Sequence, residues 1–178
     1  NGKTITGQKN SSDVFLNVTG NNVTLHNLKA KDFGGSAVVT QGDTNLTITG
    51  CTFGQPGAEV KNGVSVNTGT GASTVTMRNT TIAATDAIVE LTPDTGTGTS
   101  MVTIESGYYT GSFKINPGSA DGKGCEIKVS GGYFTADPSA YVTVPMAAVE
   151  SDLPGYYFMI GEAPTNTIPA DVVSGKTE

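Results

Sequence analysis

Tryptophan is absent from this 178-residue chain, histidine occurs once and cysteine only twice. A single His26 supports neither a Ser–His–Asp triad nor a histidine metal site, and it reads as exposed strand decoration. Cys51 and Cys125 stand 74 residues apart with no CxxC, which gives no zinc motif and no disulfide framework; they read as two reduced thiols. Basic residues are scarce: 10 Lys and Arg against 16 Asp and Glu leave a net charge of −6, which argues against nucleic acid and anionic membrane surfaces. No apolar run approaches the roughly 20 residues of a membrane-spanning helix, so membrane insertion is not expected. Charged residues make up only 15 %, too few for ordinary charge-driven disorder. The chain starts at Asn1 without a Met or a signal-like segment and reads as an excised piece of something longer.

What remains is glycine (24 residues), threonine, serine and asparagine. Thr and Val favour strands, whereas Gly and Asn make corners, so the composition fits many short strands joined by turns. At this length one domain with a real core is expected.

The organising signal is a repeat. An apolar–polar–apolar triplet is followed, seven positions after its start, by another apolar or aromatic residue. Val23-Thr24-Leu25 leads to Ala30, Leu46-Thr47-Ile48 to Phe53, Val75-Thr76-Met77 to Ile82, Val102-Thr103-Ile104 to Tyr109, and Ile127-Lys128-Val129 to Phe134. A second ladder precedes it in phase: Val14-Phe15-Leu16, Ala37-Val38-Val39, Val64-Ser65-Val66, Ile88-Val89-Glu90 and Phe113-Lys114-Ile115. Both recur every 23 to 29 residues, the length that three short strands and their corners consume in one coil of a parallel β-helix. Alternate side chains then point inward, and stacked coils align them into apolar columns. Parallel crossovers are nearly always right-handed. The expected fold is therefore all-β: a single-stranded right-handed parallel β-helix of about five coils. An antiparallel sandwich also has short strands and frequent turns, but does not require one element to recur at this period.

Insertions rich in Gly and Pro are expected between strands at Gln55–Glu59, Gly69–Ser73, Pro93–Ser100 and Pro117–Gly124. Lys3-Thr4-Ile5-Thr6-Gly7 reads as the last part of an earlier coil. The coils span residues 1–136. Residues 137–162, with Tyr141, Val142, Val144, Met146, Val149, Leu153, Tyr156, Tyr157, Phe158, Met159 and Ile160, are expected to form a cap on the open end, and residues 163–178 a linker or frayed terminus.

Two segments carry a resemblance. Asn1-Gly2-Lys3-Thr4-Ile5-Thr6-Gly7 resembles a coil of the pectate-lyase-like β-helix superfamily as it occurs in large bacterial surface proteins. Ser130-Gly131-Gly132-Tyr133-Phe134 with Asp137-Pro138-Ser139-Ala140-Tyr141-Val142, continued by Ala148-Val149 and Gly155-Tyr156-Tyr157, resembles an element of cell-surface proteins of Gram-positive, Clostridia-type gut bacteria. The resemblance implies a secreted or wall-attached modular protein, located outside the cell or in the wall, and it brings no catalytic residues. The NTD, DD, GHG and RIK signatures of the superfamily's hydrolases are missing.

Chemistry is sparse. The acids are scattered: Asp13, Asp32, Asp43, Glu59, Asp86, Glu90, Asp94, Glu105, Asp121 and Glu126. The best group is Asp86, Glu90 and Asp94, read as solvated loop charge; no carboxyl pair at matching coil positions offers the two-carboxylate spacing of a glycosidase. No cofactor or metal is called for. His26, Thr49, Arg78, Glu105 and Ser130 form a polar outer stripe, with an Arg78–Glu105 pair expected between adjacent coils. Five glycosylation-type triplets start at Asn10, Asn17, Asn22, Asn45 and Asn79, and composition alone accounts for them. Three functions stay open: a structural or adhesive module, a fragment of a polysaccharide lyase or glycoside hydrolase, and a carbohydrate-binding module. The weak glycan-contact candidates are the tyrosines Tyr108, Tyr133, Tyr156 and Tyr157, the partner an extended polysaccharide or host glycan, and the protein is expected to be a monomer.

Overall fold

The computed structural model describes residues 3–67, 71–92, 98–116 and 124–163. It is a β-solenoid of about 5 turns, 60 % strand and 2 % helix, with its coils stacked in parallel. A short β1 (Thr4–Thr6) precedes the first coil, which contains β2 (Leu16–Val18), β3 (Val23–His26) and β4 (Lys29–Lys31). The second has β5 (Ser36–Gln41), β6 (Thr44–Thr49) and β7 (Thr52–Phe53). The third has β8 (Val60–Asn67), β9 (Ala72–Arg78) and the start of β10 (Thr80–Thr92). β10 runs on into the fourth coil, followed by β11 (Thr99–Ile104) and β12 (Gly107–Ile115). β13 (Cys125–Val129) and β14 (Tyr133–Phe134) belong to the fifth. A 3₁₀ turn at Ser139–Tyr141 leads to the hairpin β15 (Met146–Glu150) and β16 (Phe158–Glu162).

One five-stranded sheet runs β3-β6-β9-β11-β13. Its register places Val23, Leu46, Val75, Val102 and Ile127 in one column, as the repeat predicts, and Leu25, Ile48, Met77, Ile104 and Val129 in the next. Thr24, Thr47, Thr76, Thr103 and Lys128 alternate outward between them, because successive side chains of a strand leave opposite faces. The second sheet stacks Ile5, Ala30, Phe53, Ile82, Tyr109 and Phe134 into a further inward column. All but Ile5 are buried, and Tyr109 and Phe134 stack at 5.1 Å between ring centroids.

The ladder led by β2, β5 and β8 corrects the expected register. Leu16, Val38, Val64, Val89 and Phe113 are the residues that align. Three of the five expected triplets are therefore offset: by two residues at Val14 and by one at Ala37 and Ile88. The reason is that both faces are covered. Ser36 to Thr40 are all buried, and so are Asn62 and Ser65 on the outward side, so hydrophobic alternation no longer marks the inner face.

The corner between the first two sheets requires a left-handed residue, supplied by Asn27, Gly50 and Asn79 in successive coils with φ of 55°, 63° and 47°. At Gly50 a Cβ would also meet the Asn27 side chain at 2.3 Å. Gln55–Glu59 forms a turn, with Ala58 N–H donating to the Gln55 carbonyl at 2.8 Å. Residues 68–70, 93–97, 117–123 and 164–178, and with them Asp94 and Asp121, lie outside the described residues, so the insertions expected there are covered only at their edges.

At the far end the chain turns back. β16 pairs antiparallel with β14, matching Phe158 to Phe134, and β15 pairs antiparallel with β16. Ile160 is buried, and Tyr141, Val142, Met146 and Phe158 pack on the core. Val144, Leu153 and Tyr157 remain exposed, unlike the rest of the apolar residues expected in the cap.

Tyr109 gives the fold a pH handle. Its hydroxyl donates to the Ser106 carbonyl at 2.8 Å, and burial pushes its pKa well above the ordinary phenol value. The folded state thus holds the proton more tightly than the unfolded chain does. The stability this represents is complete below the unfolded pKa of about 10 and is lost as pH rises past it. Tyr109→Phe keeps the ring stack and should flatten the fall in melting temperature above about pH 10; an unchanged alkaline profile would place the sensitivity elsewhere.

Candidate functional site

Two surfaces gather polar or aromatic side chains. The first is aromatic. Tyr108 on β12 and Tyr133 on β14 are directly opposed across adjacent coils; since Tyr109 and Phe134 point inward, alternation turns Tyr108 and Tyr133 outward. Their rings stack at 5.4 Å with 10° between planes. Tyr156, carried by the hairpin turn, leans on both, 5.6 Å from Tyr108 and 6.4 Å from Tyr133. Burial raises the Tyr156 pKa, with the neighbouring Tyr108 adding to it. Three of the four candidate tyrosines thus form one cluster. Tyr157 does not join them: it is exposed on a separate depression with Ala148, Val149 and Phe158.

The outward column containing these rings runs Thr52, Thr81, Tyr108, Tyr133. Threonine is short, so the face of Tyr108 turned away from Tyr133 has no ring over it, and Tyr108 is 43 % exposed. A groove of about 230 Å³ opens there, lined by Asn79, Thr81, Ser106, Gly107, Tyr108, Gly132 and Tyr133. Ser106 Oγ accepts from Asn79 N–H at 2.9 Å and donates to Asn79 Oδ1 at 3.1 Å. Gly107 sits at φ 139°, and a Cβ there would approach the Thr80 carbonyl to 2.0 Å, so the backbone beside Tyr108 stays bare.

The second surface is the outer face of β5, β8, β10 and β12. Glu90 lies within β10, as its strand triplet predicts, but its side chain, expected to be solvated, is only 19 % exposed. It accepts from Asn62 Nδ2 at 2.7 Å, Ser65 Oγ at 3.2 Å and Asn116 Nδ2 at 3.0 Å, and Lys114 Nζ lies 3.4 Å away. Lys114 also reaches Asp86 at 3.4 Å, and hydrogen bonding to Asp86 leads the causes that raise its pKa. Sequence spacing could not reveal this, because the donors come from the two coils on either side of Glu90. Four donors thus converge on the two carboxyl oxygens of Glu90. The network is a satisfied polar covering for the sheet. Asp94, the third acid of the group, is outside the described residues.

The polar stripe pairs as expected: Arg78 Nη2 donates to Glu105 Oε1 at 2.9 Å and Arg78 Nε to Oε2. The Arg78 hydrogen bond holds the Glu105 carboxyl below the usual range. Arg78 is exposed and Glu105 partly so, and the pair contributes little stability. His26 aligns with Thr49 on that stripe. Cys51 and Cys125 are both free thiols; Cys51 is buried, and burial raises its pKa. Among the described residues no three His, Cys, Asp or Glu side chains converge as metal ligands, and no helix is long and apolar enough to cross a membrane. A larger depression of about 510 Å³ at Ser100, Met101 and Cys125 offers no aromatic face.

Compared with family models, curated proteins and solved structures, the chain matches none.

Proposed function

We propose that this protein is a non-catalytic structural or adhesive module of a secreted or wall-attached bacterial surface protein, which holds a glycan against Tyr108. The observation that carries the reading is the uncovered Tyr108 ring beside the Asn79–Ser106 groove. Apolar ring faces combined with a few convergent polar groups are the usual composition of a small-ligand site. A sugar ring presents an apolar C–H face and a polar rim, and Tyr108 with Asn79, Thr81 and Ser106 matches both. The rigid solenoid presents this groove on a long polar flank, which suits an extended polysaccharide or host glycan. The pectate-lyase-like resemblance of Asn1–Gly7 and the Clostridia-type resemblance of Ser130–Phe134 and Asp137–Val142 support an extracellular or wall location.

Binding of the chain to a glycan array, followed by calorimetry on a hit, tests this. Tyr108→Ala should weaken binding at least about tenfold, or 1.4 kcal/mol. Thr81→Tyr, which extends the ring stack over the open face, should block binding without loss of fold, whereas Tyr157→Ala should leave affinity unchanged. Equal binding by Tyr108→Ala and the parent would refute the site. New reducing ends or unsaturated products from pectins, glucans or mucin glycans would favour the lyase or hydrolase reading.

A further inference from the structure

Building on the glycan reading of the Tyr108 groove, we infer that the ligand is an oligosaccharide, neutral where it stacks, whose carboxylate or sulfate ester is bound by Lys29 three coils away. Strand register continues the outward column of Tyr133, Tyr108, Thr81 and Thr52 to Lys29 and then to Thr4. Adjacent coils lie about 4.8 Å apart, so Lys29 and Tyr108 stand roughly 14 Å apart along the solenoid axis. Between them the column holds only the short side chains of Thr52 and Thr81, which leave room for a chain lying along it.

The fold aims Lys29 at this column. Thr4 and Thr52 flank it on either side, and the following residue, Ala30, is buried in the inward column. Alternation therefore turns Lys29 and Lys31 outward on the same face of β4, with Lys29 exposed. Neither lysine takes part in an ion pair found among the described residues. Although the protein is acidic as a whole, from Lys3 to Lys31 it has four lysines against Asp13 alone. The next acid, Asp32, sits on the left-handed bend just after β4 at φ 58°. A lysine ammonium is a compact charge on a flexible stem, suited to an anionic oxygen that approaches without a fixed angle.

The other end of the column decides how the ligand's charge is distributed. None of the residues lining the groove at Tyr108 is charged, and Arg78, next to Asn79, is engaged by Glu105. A carboxylate drawn into that groove would shed water with no cation to replace it. A polyuronate, charged at each unit, therefore fits poorly, whereas a neutral sugar with one distant anionic group fits both ends.

Calorimetry on the whole chain, with matched probes, is the test. The probes are a neutral tetrasaccharide of N-acetyllactosamine units, the same chain ended by sialic acid, the same chain with a terminal sulfate ester, and a polygalacturonate tetramer. At low salt one or both of the singly anionic forms should bind about fivefold tighter than the neutral one, the full worth of an exposed ion pair. The form that gains identifies the anionic group. Lys29→Met should bring it to the affinity of the neutral chain, and added salt should act in the same direction. Tyr108→Ala should weaken every form. If it does, three results overturn the Lys29 contact alone: no gain for either anionic form, a gain that survives Lys29→Met, or tightest binding by polygalacturonate. Binding indifferent to Tyr108→Ala, or no binding of any probe at millimolar concentration, would overturn the groove reading as well.

Discussion

Val102→Asp is expected to leave no folded protein. Val102 is wholly buried, with Val75 on one side and Ile127 on the other in the inward column of the five-stranded sheet. An aspartate there would have its carboxylate among methyl groups with no partner, at a cost of several kcal/mol. Domains of ordinary stability hold only about 5–15 kcal/mol in reserve. A solenoid is the more vulnerable because each coil depends on its neighbours to cover its inward side chains. Thr103→Asp, one residue along on the outward face, should change stability by no more than about 0.5 kcal/mol. Circular dichroism melts of the pair would show a lost transition for Val102→Asp and a retained one for Thr103→Asp. Equal effects would mean that these two positions do not alternate between core and solvent.

Ending the chain at Ala136 is expected to lower the melting temperature sharply, whereas ending it at Glu162 should not. The longer form keeps β16 on β14, the buried Ile160, and the Tyr141 ring 4.8 Å from Phe113. Deleting Ile160, Phe158 and Tyr141 forfeits about 1.5–3 kcal/mol for each side chain that had been fully buried, and less for those half-covered. A total of a few kcal/mol corresponds to roughly 10 °C for a chain of this size. The short form also leaves the β14 edge and the wholly buried Phe134 without the strand that covers them. Matching melts for the two truncations would mean that the hairpin rests on the solenoid without supporting it.

Much of the fold was legible because the five-stranded sheet has one dry face and one wet face. Thr24, Thr47, Thr76 and Thr103 mark solvent as clearly as Val, Leu and Ile mark the core, so register could be read residue by residue. The β5–β8–β10 ladder lost that contrast. Val39 and Ser65 are buried on its outward side, while Thr40 points inward into the column of Val18, Val66 and Leu91. Polarity there no longer signals direction, and the register slipped. The candidate site divides in a similar way. Tyr108 and Tyr133 follow from the repeat, being one position before the inward Tyr109 and Phe134. Tyr156 and Tyr157 lie in a hairpin outside the repeat, and only the turn at Gly155 decides which of them reaches the column. The partial burial of Glu90 is not legible, because its partners Asn62, Ser65 and Asn116 are brought to it by coil stacking, which spacing along one strand does not reveal.

The central claim is the stacking of coils with one residue per column, and nuclear Overhauser contacts between selectively labelled methyl groups test it most directly. Val102 methyls should show contacts to both Val75 and Ile127, Val75 to Leu46, and Ile104 to Met77 and Val129. The β-solenoid predicts that whole ladder, each step one coil along the chain. Contacts that pair these residues in antiparallel order, or that place Val75 and Val102 in separate clusters, would contradict it.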